Sequence, residues 1–128
     1  MQKDINKKME KQKADFLALQ PSNEEMTQKI IEHLKKIFDP ELPVNIYDLG
    51  LIYNIECKTD EVSMLKTCHI TMTLTSATCS FSGVIVDLVK SIKNREEGLD
   101  EVEVEIVFDP PWGQDSMTDE AKLAMGLL

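Results

Sequence analysis

The chain has 128 residues, 42% of them hydrophobic and 29% charged, and a formal net charge of −9. That length predicts one soluble domain with a modest core. The acidic balance excludes a nucleic-acid partner, which needs a basic face, and no apolar run approaches the ~18 residues of a membrane span.

Residues 1–20 carry five lysines against three acids, net +2, which leaves −11 for the remainder. A boundary at Gln20-Pro21-Ser22 therefore divides an N-terminal helical extension (1–21) from the main domain (22–128). The loose spacing of Ile5, Met9, Phe16 and Leu19 predicts a solvated helix in the extension. Those first residues hold no apolar stretch of the kind that opens an export or transit signal. Three cysteines without short paired spacing point the same way, to a reducing cytoplasm rather than a disulfide framework.

Ser22-Asn-Glu-Glu25 reads as a capping box. It opens a helix with apolar residues Met26, Ile30, Leu34 and Ile37, closed by Phe38. Asp39-Pro40 stops that helix, because the residue before proline is pushed out of the helical region. Next, Leu51, Tyr53, Ile55 and Cys57 alternate with polar neighbours, and so do Cys68, Ile70, Met72 and Leu74. Antiparallel pairing with residue numbers summing to 125 puts all eight on one face and most of the threonines on the other. Val84, Ile85, Leu88, Val89 and Ile92 form the stripe of a second helix. Val102, Val104, Ile106 and Phe108 mark a third strand, parallel to the second through a crossover. Asp109-Pro110-Pro111 ends it, and a short helix from about Met117 to Met125 finishes the chain. The fold class is α/β of the α+β type. It is a two-layer sandwich, helix–strand–strand–helix–strand, with a short C-terminal helix.

Cys79 carries the strongest chemical signal. It sits where the threonine-rich strand Met72–Thr75 passes into a helix, and a helix N-terminus favours thiolate over thiol. Thr75, Ser76 and Thr78 are hydrogen-bond donors within reach in sequence. The residues alone leave open whether this thiol is reactive, a metal or cluster ligand, or a small buried side chain. Cys57 and Cys68 fall opposite each other on the covered face, where core packing is expected and a disulfide is not. The cysteine spacing matches no usual zinc or cluster pattern. His33 and His69 read as surface residues. Asp39, Glu41 and Asp48 are either turn formers or carboxylates near the thiol. Trp112 reads as a packing lid.

Three runs together resemble one family: Asp39-Pro-Glu-Leu-Pro-Val-Asn-Ile-Tyr-Asp-Leu-Gly-Leu-Ile-Tyr53, Met72-Thr-Leu-Thr-Ser-Ala-Thr-Cys79 and Val104-Glu-Ile-Val-Phe-Asp-Pro-Pro-Trp112. Over residues 24–128 the chain is similar to the SufT-like and PaaD-like iron–sulfur cluster assembly domain, which the eukaryotic cytosolic cluster-targeting factors share. The free-standing bacterial SufT-type members resemble it most. The resemblance implies a pocket of Cys79, Thr75, Ser76, Asp39, Glu41 and Leu42, shaped by Asp109, Pro110 and Trp112. It departs from the family at Ser76-Ala77-Thr78 and Ser80-Phe81, where relatives often carry proline.

The function so implied is an accessory role in iron–sulfur cluster assembly or delivery to client apoproteins, beside the SUF machinery. Cys79 would be a transient ligand of iron or an iron–sulfur cluster, or a contact thiol. One thiol cannot hold a cluster, so a homodimer, a carrier or scaffold protein, or a small thiol would complete the ligands. Two other roles compete. PaaD-like members imply an accessory protein of a multicomponent oxygenase, but they tend to carry a cysteine-rich C-terminal segment, and none precedes Leu128 here. A thiol-dependent enzyme would need a base beside Cys79 or a Cys-x-x-Cys partner, and neither is visible. The expectation is a protein that is not an enzyme.

Overall fold

The computed structural model describes residues 22–40, 42–75 and 78–128, with Thr78 and Cys79 described by their backbone alone. The expected N-terminal helical extension, residues 1–21, lies outside the described residues. Helix α1 spans Asn23–Leu34, and Ser22 caps it by accepting the Glu25 N–H at 3.0 Å. Met26, Ile30 and Leu34 are fully buried, each removal from water contributing about 1.5–3 kcal/mol.

The helix stops four residues short of the expected Phe38. The Lys36 and Ile37 amides turn tightly onto the His33 and Leu34 carbonyls. Phe38 is instead extended in an isolated antiparallel bridge to Asn45 and stays exposed. The turn is what lets Ile37 reach the core before Pro40 imposes its own restriction on Asp39.

Strands β1 (Ile52–Thr59) and β2 (Lys66–Met72) pair antiparallel, and β2 pairs parallel with β3 (Glu101–Ile106), in the order β1-β2-β3. From Asn54↔Thr71 to Thr59↔Lys66 the register has the expected sum. A bulge at Tyr53 then shifts it, so that Ile52 rather than Tyr53 stands opposite Met72. Leu51 remains buried beyond the bulge, and its carbonyl accepts the Thr73 N–H at 2.8 Å. β3 ends at Ile106, not Phe108.

Helix α2 (Ser82–Lys90) and the 3-10 turn Ser91–Asn94 supply the crossover and bury Ile85, Val89 and Ile92, whereas Val84 is exposed despite its place in the predicted stripe. Helix α3 (Asp119–Ala124) closes the chain, with the Thr118 hydroxyl as its cap. No helix among the described residues is long and apolar enough to cross a membrane.

Two expectations need correction. Cys57 and Cys68 are cross-strand partners, as the register requires, but they form a disulfide. Their Cα atoms are 4.0 Å apart, and both are buried, with the Thr27 hydroxyl 3.8 Å from the Cys57 sulfur. The compartment argument weighed against a bond that the pairing geometry favours. His33, read as a surface residue, is half-buried and bonds Glu96 at 2.8 Å, joining α1 to the turn after α2. Burial alone would raise the Glu96 carboxyl, but hydrogen bonds from His33 and Lys29 outweigh it and hold it below its ordinary value.

The other sheet face is open, and His69 lies there as expected. Its ring is held between Glu105 at 3.0 Å and Glu103 at 3.4 Å. Those hydrogen bonds, Glu105 first and Glu103 second, raise its pKa above the ordinary imidazole value. The folded protein thus binds this proton more tightly than the unfolded chain. The resulting stability is complete below the unfolded imidazole value of about 6.5 and is lost as pH rises through the higher folded value. Urea midpoints measured across neutrality should fall slightly with rising pH in the native protein. In His69→Gln that slope should flatten; an unchanged slope would refute the assignment.

Candidate functional site

The candidate site is built where β2 runs out. Thr73-Leu74-Thr75 continue past its last paired residue, and a 3-10 turn, Thr78–Phe81, carries the Cys79 backbone into α2 at Ser82. Cys79 therefore lies in a tight turn ahead of the helix; the N-cap itself is Phe81, which makes no side-chain capping bond. The free N–H groups of that first helical turn are the ones expected to favour thiolate. Ser76, Glu41 and the Cys79 side chain lie outside the described residues.

A cavity of about 340 Å³ opens beside this segment, lined by Thr73, Leu74, Thr75, Phe108, Pro111 and Trp112. Three hydrogen bonds hold the segments around it. The Val107 N–H donates to the Met72 carbonyl at 2.8 Å, holding the start of the late motif against the end of β2. The Trp112 indole N–H donates to the Leu49 carbonyl at 2.8 Å, which sets the ring as a half-buried wall packed on the core. The Tyr53 hydroxyl donates to the Pro110 carbonyl at 2.8 Å, so the bulge in β1 has a use: it turns Tyr53 toward the Asp109-Pro110 segment, whose peptide bond is cis. On the far side of that segment lies a second cavity of about 520 Å³, lined by Tyr47, Gly50, Ile52, Tyr53, Pro110, Ser116 and Thr118.

Thr75 and Trp112 thus meet in one cavity. Asp39 and Leu42 line neither of these two cavities, and the Leu42 N–H donates to the Asp39 carbonyl at 3.3 Å. Asp39 is 2% exposed and Leu42 packs on the core. Asp109 is exposed and does not line the 340 Å³ cavity.

Sequence reasoning missed four lining residues, Thr73, Leu74, Phe108 and Pro111, and two of them stand elsewhere than alternation implies. Thr73 was assigned to the open face by alternation, yet it is 1% exposed, and its hydroxyl meets no hydrogen-bond partner among the described residues. A buried hydroxyl costs free energy when unpaired. Phe108 was assigned to the core, yet it is 62% exposed at the cavity rim. Among the described residues, no group of three His, Cys, Asp or Glu side chains is placed to hold a metal ion.

Comparison with known proteins places this geometry in context. Residues 27–106 match the model of a family described as iron–sulfur cluster assembly protein. The chain belongs to that family. It is 39% identical over 104 residues to the Fe-S protein maturation auxiliary factor YitW of Bacillus subtilis, covering 81% of this chain and 97% of the relative. It is 37% identical over 91 residues to the Fe-S protein maturation auxiliary factor SufT of Staphylococcus aureus, covering 71% and 98%. A crystal structure of a domain of unknown function from Bacillus anthracis superposes with a TM-score of 0.66 at 37% identity, over 79% of this chain and 92% of that one. Family membership accounts for the three sequence runs and for the α+β sandwich that brings their ends together.

Proposed function

We propose that this protein is a non-catalytic auxiliary factor that helps deliver iron–sulfur clusters to client apoproteins in a SUF-type pathway. Cys79 acts in it as a transient ligand or contact thiol. The observation that carries the reading is the position of Cys79, in the turn between the end of β2 and α2 and four residues past Thr75 in the wall of the 340 Å³ cavity. The maturation-factor names of the relatives support the same direction. The cluster is cargo. With Cys57 and Cys68 bonded to each other, this chain offers one thiol, and a partner protein, a second copy or a small thiol would supply the remaining ligands. That shortage suits delivery, because a complete ligand set would retain the cluster instead of releasing it.

In the native host, Cys79→Ser should lower the activities of several iron–sulfur enzymes severalfold, while enzymes without clusters keep theirs. Unchanged cluster-enzyme activity would remove the proposal. Anaerobic incubation of the protein with ferrous iron, sulfide and a small thiol that can supply the missing ligands separates the two roles: visible absorbance that air bleaches and that Cys79→Ser abolishes marks a ligand, and a colourless protein marks a contact.

A further inference from the structure

Strand β3 is an edge strand, and among the described residues no strand pairs with its outer side. Its helix-facing side chains emerge from cover along its length. Val102 is 1% exposed, Val104 and Ile106 are only half-buried, and Phe108 beyond them projects at the cavity rim. Its other face carries Glu101, Glu103 and Glu105, all exposed. Those three carboxylates share two cationic side chains, Lys93 at 3.3 Å from Glu101 and His69 between Glu103 and Glu105, whereas on the opposite edge Lys58 matches Glu56 one to one at 3.3 Å.

An unpaired edge of this length is a template for another strand. A second copy of β3 would set glutamate against glutamate, which is destabilising in cross-strand positions. A strand with basic residues on the open face and aliphatic residues toward the helices would complement both rows at once.

We propose that the free edge of β3 receives an extended segment of a partner protein in which basic and aliphatic residues alternate. Backbone hydrogen bonds along the edge provide affinity, and the alternating side chains provide selectivity. The added strand would end beside the Phe108–Trp112 cavity and the turn bearing Cys79, so that a partner docked there presents its next residues to the thiol. The identity of that partner as a client or carrier rests on the delivery role above; the strand addition itself does not involve Cys79.

The test uses the full-length protein and an acetylated, amidated octapeptide of alternating lysine and valine, followed by amide NMR and hydrogen exchange at low salt. Amides of residues 101–106 should shift and gain protection, with β1 unaffected. The exposed pair E103K/E105K should keep the fold, weaken the peptide about tenfold and accept a glutamate–valine octapeptide instead. Four results would overturn the proposal: no binding at millimolar peptide, an equal response to a peptide with its lysines and valines in separate blocks, protection on β1, or no effect of charge reversal. Binding that emerges only when Lys3, Lys7, Lys8, Lys11 and Lys13 are all changed to glutamine would also overturn it, by making the chain's own N-terminal segment the occupant. The two readings fail separately. Cys79→Ser that leaves maturation intact defeats the delivery role but leaves the edge standing, and retained peptide binding in E103K/E105K does the reverse.

Discussion

Gly50→Ala is expected to destabilise the protein by about 2–5 kcal/mol, from a left-handed backbone cost of about 1–2 kcal/mol and an overpacking cost of about 1–3 kcal/mol. Gly50 has φ +88° and closes a turn in which its own N–H donates to Tyr47 and the Leu51 N–H donates to Ile46. That pattern is the one with which glycine terminates helical turns. A Cβ at this position would run into the backbone carbonyl of Ser116. Neither side can yield cheaply, because the Thr118 N–H is bonded to Asp48 and Trp112 to Leu49 on the same turn. Urea unfolding of the variant measures the effect directly. A loss below about 1 kcal/mol would show that the C-terminal segment is not packed on this turn as described.

Ile70→Ala should cost about 2–5 kcal/mol, the range for truncating a fully buried aliphatic side chain. Ile70 is 0% exposed at the centre of β2, between Ile55 on one side and Val104 on the other. The central strand has neighbours on both flanks and helices above, so the space left behind cannot collapse. Val62→Ala, at a 95% exposed position, should stay within about 0.5 kcal/mol of the native protein. Comparable losses for the two variants would contradict the described core. Since a domain of this size has only about 5–15 kcal/mol in total, either Gly50→Ala or Ile70→Ala removes a large share.

Strand pairing could be read from the chain because alternation has a period of two, and the register that sets Cys57 opposite Cys68 also puts Ile70 and Met72 on the same face. The bulge at Tyr53 could not, since nothing in alternation reports an inserted residue; it is imposed from a distance by the Pro110 carbonyl and the Leu51–Thr73 bond. Helix α1 was read too long for a similar reason. Ile37 fits the helical spacing, but the bridge between Phe38 and Asn45 competes for the same backbone.

The residues of the candidate site were recognised through family resemblance and only partly through physics. Thr75 and Trp112 do come together, in a cavity that alternation could not foresee because its walls come from segments more than thirty residues apart. Asp39 and Leu42, grouped with them by motif, are joined by a hydrogen bond from the Leu42 N–H to the Asp39 carbonyl and line neither of the two cavities.

The bond between Cys57 and Cys68 has a consequence for what can happen at the remaining sulfur. A mixed disulfide formed by Cys79 with another molecule has no second free thiol in the same chain to expel it. Such an adduct would persist until an outside reductant or the next protein in line attacked it. The length of time this chain keeps hold of a visitor at Cys79 is therefore decided by the visitor's successor.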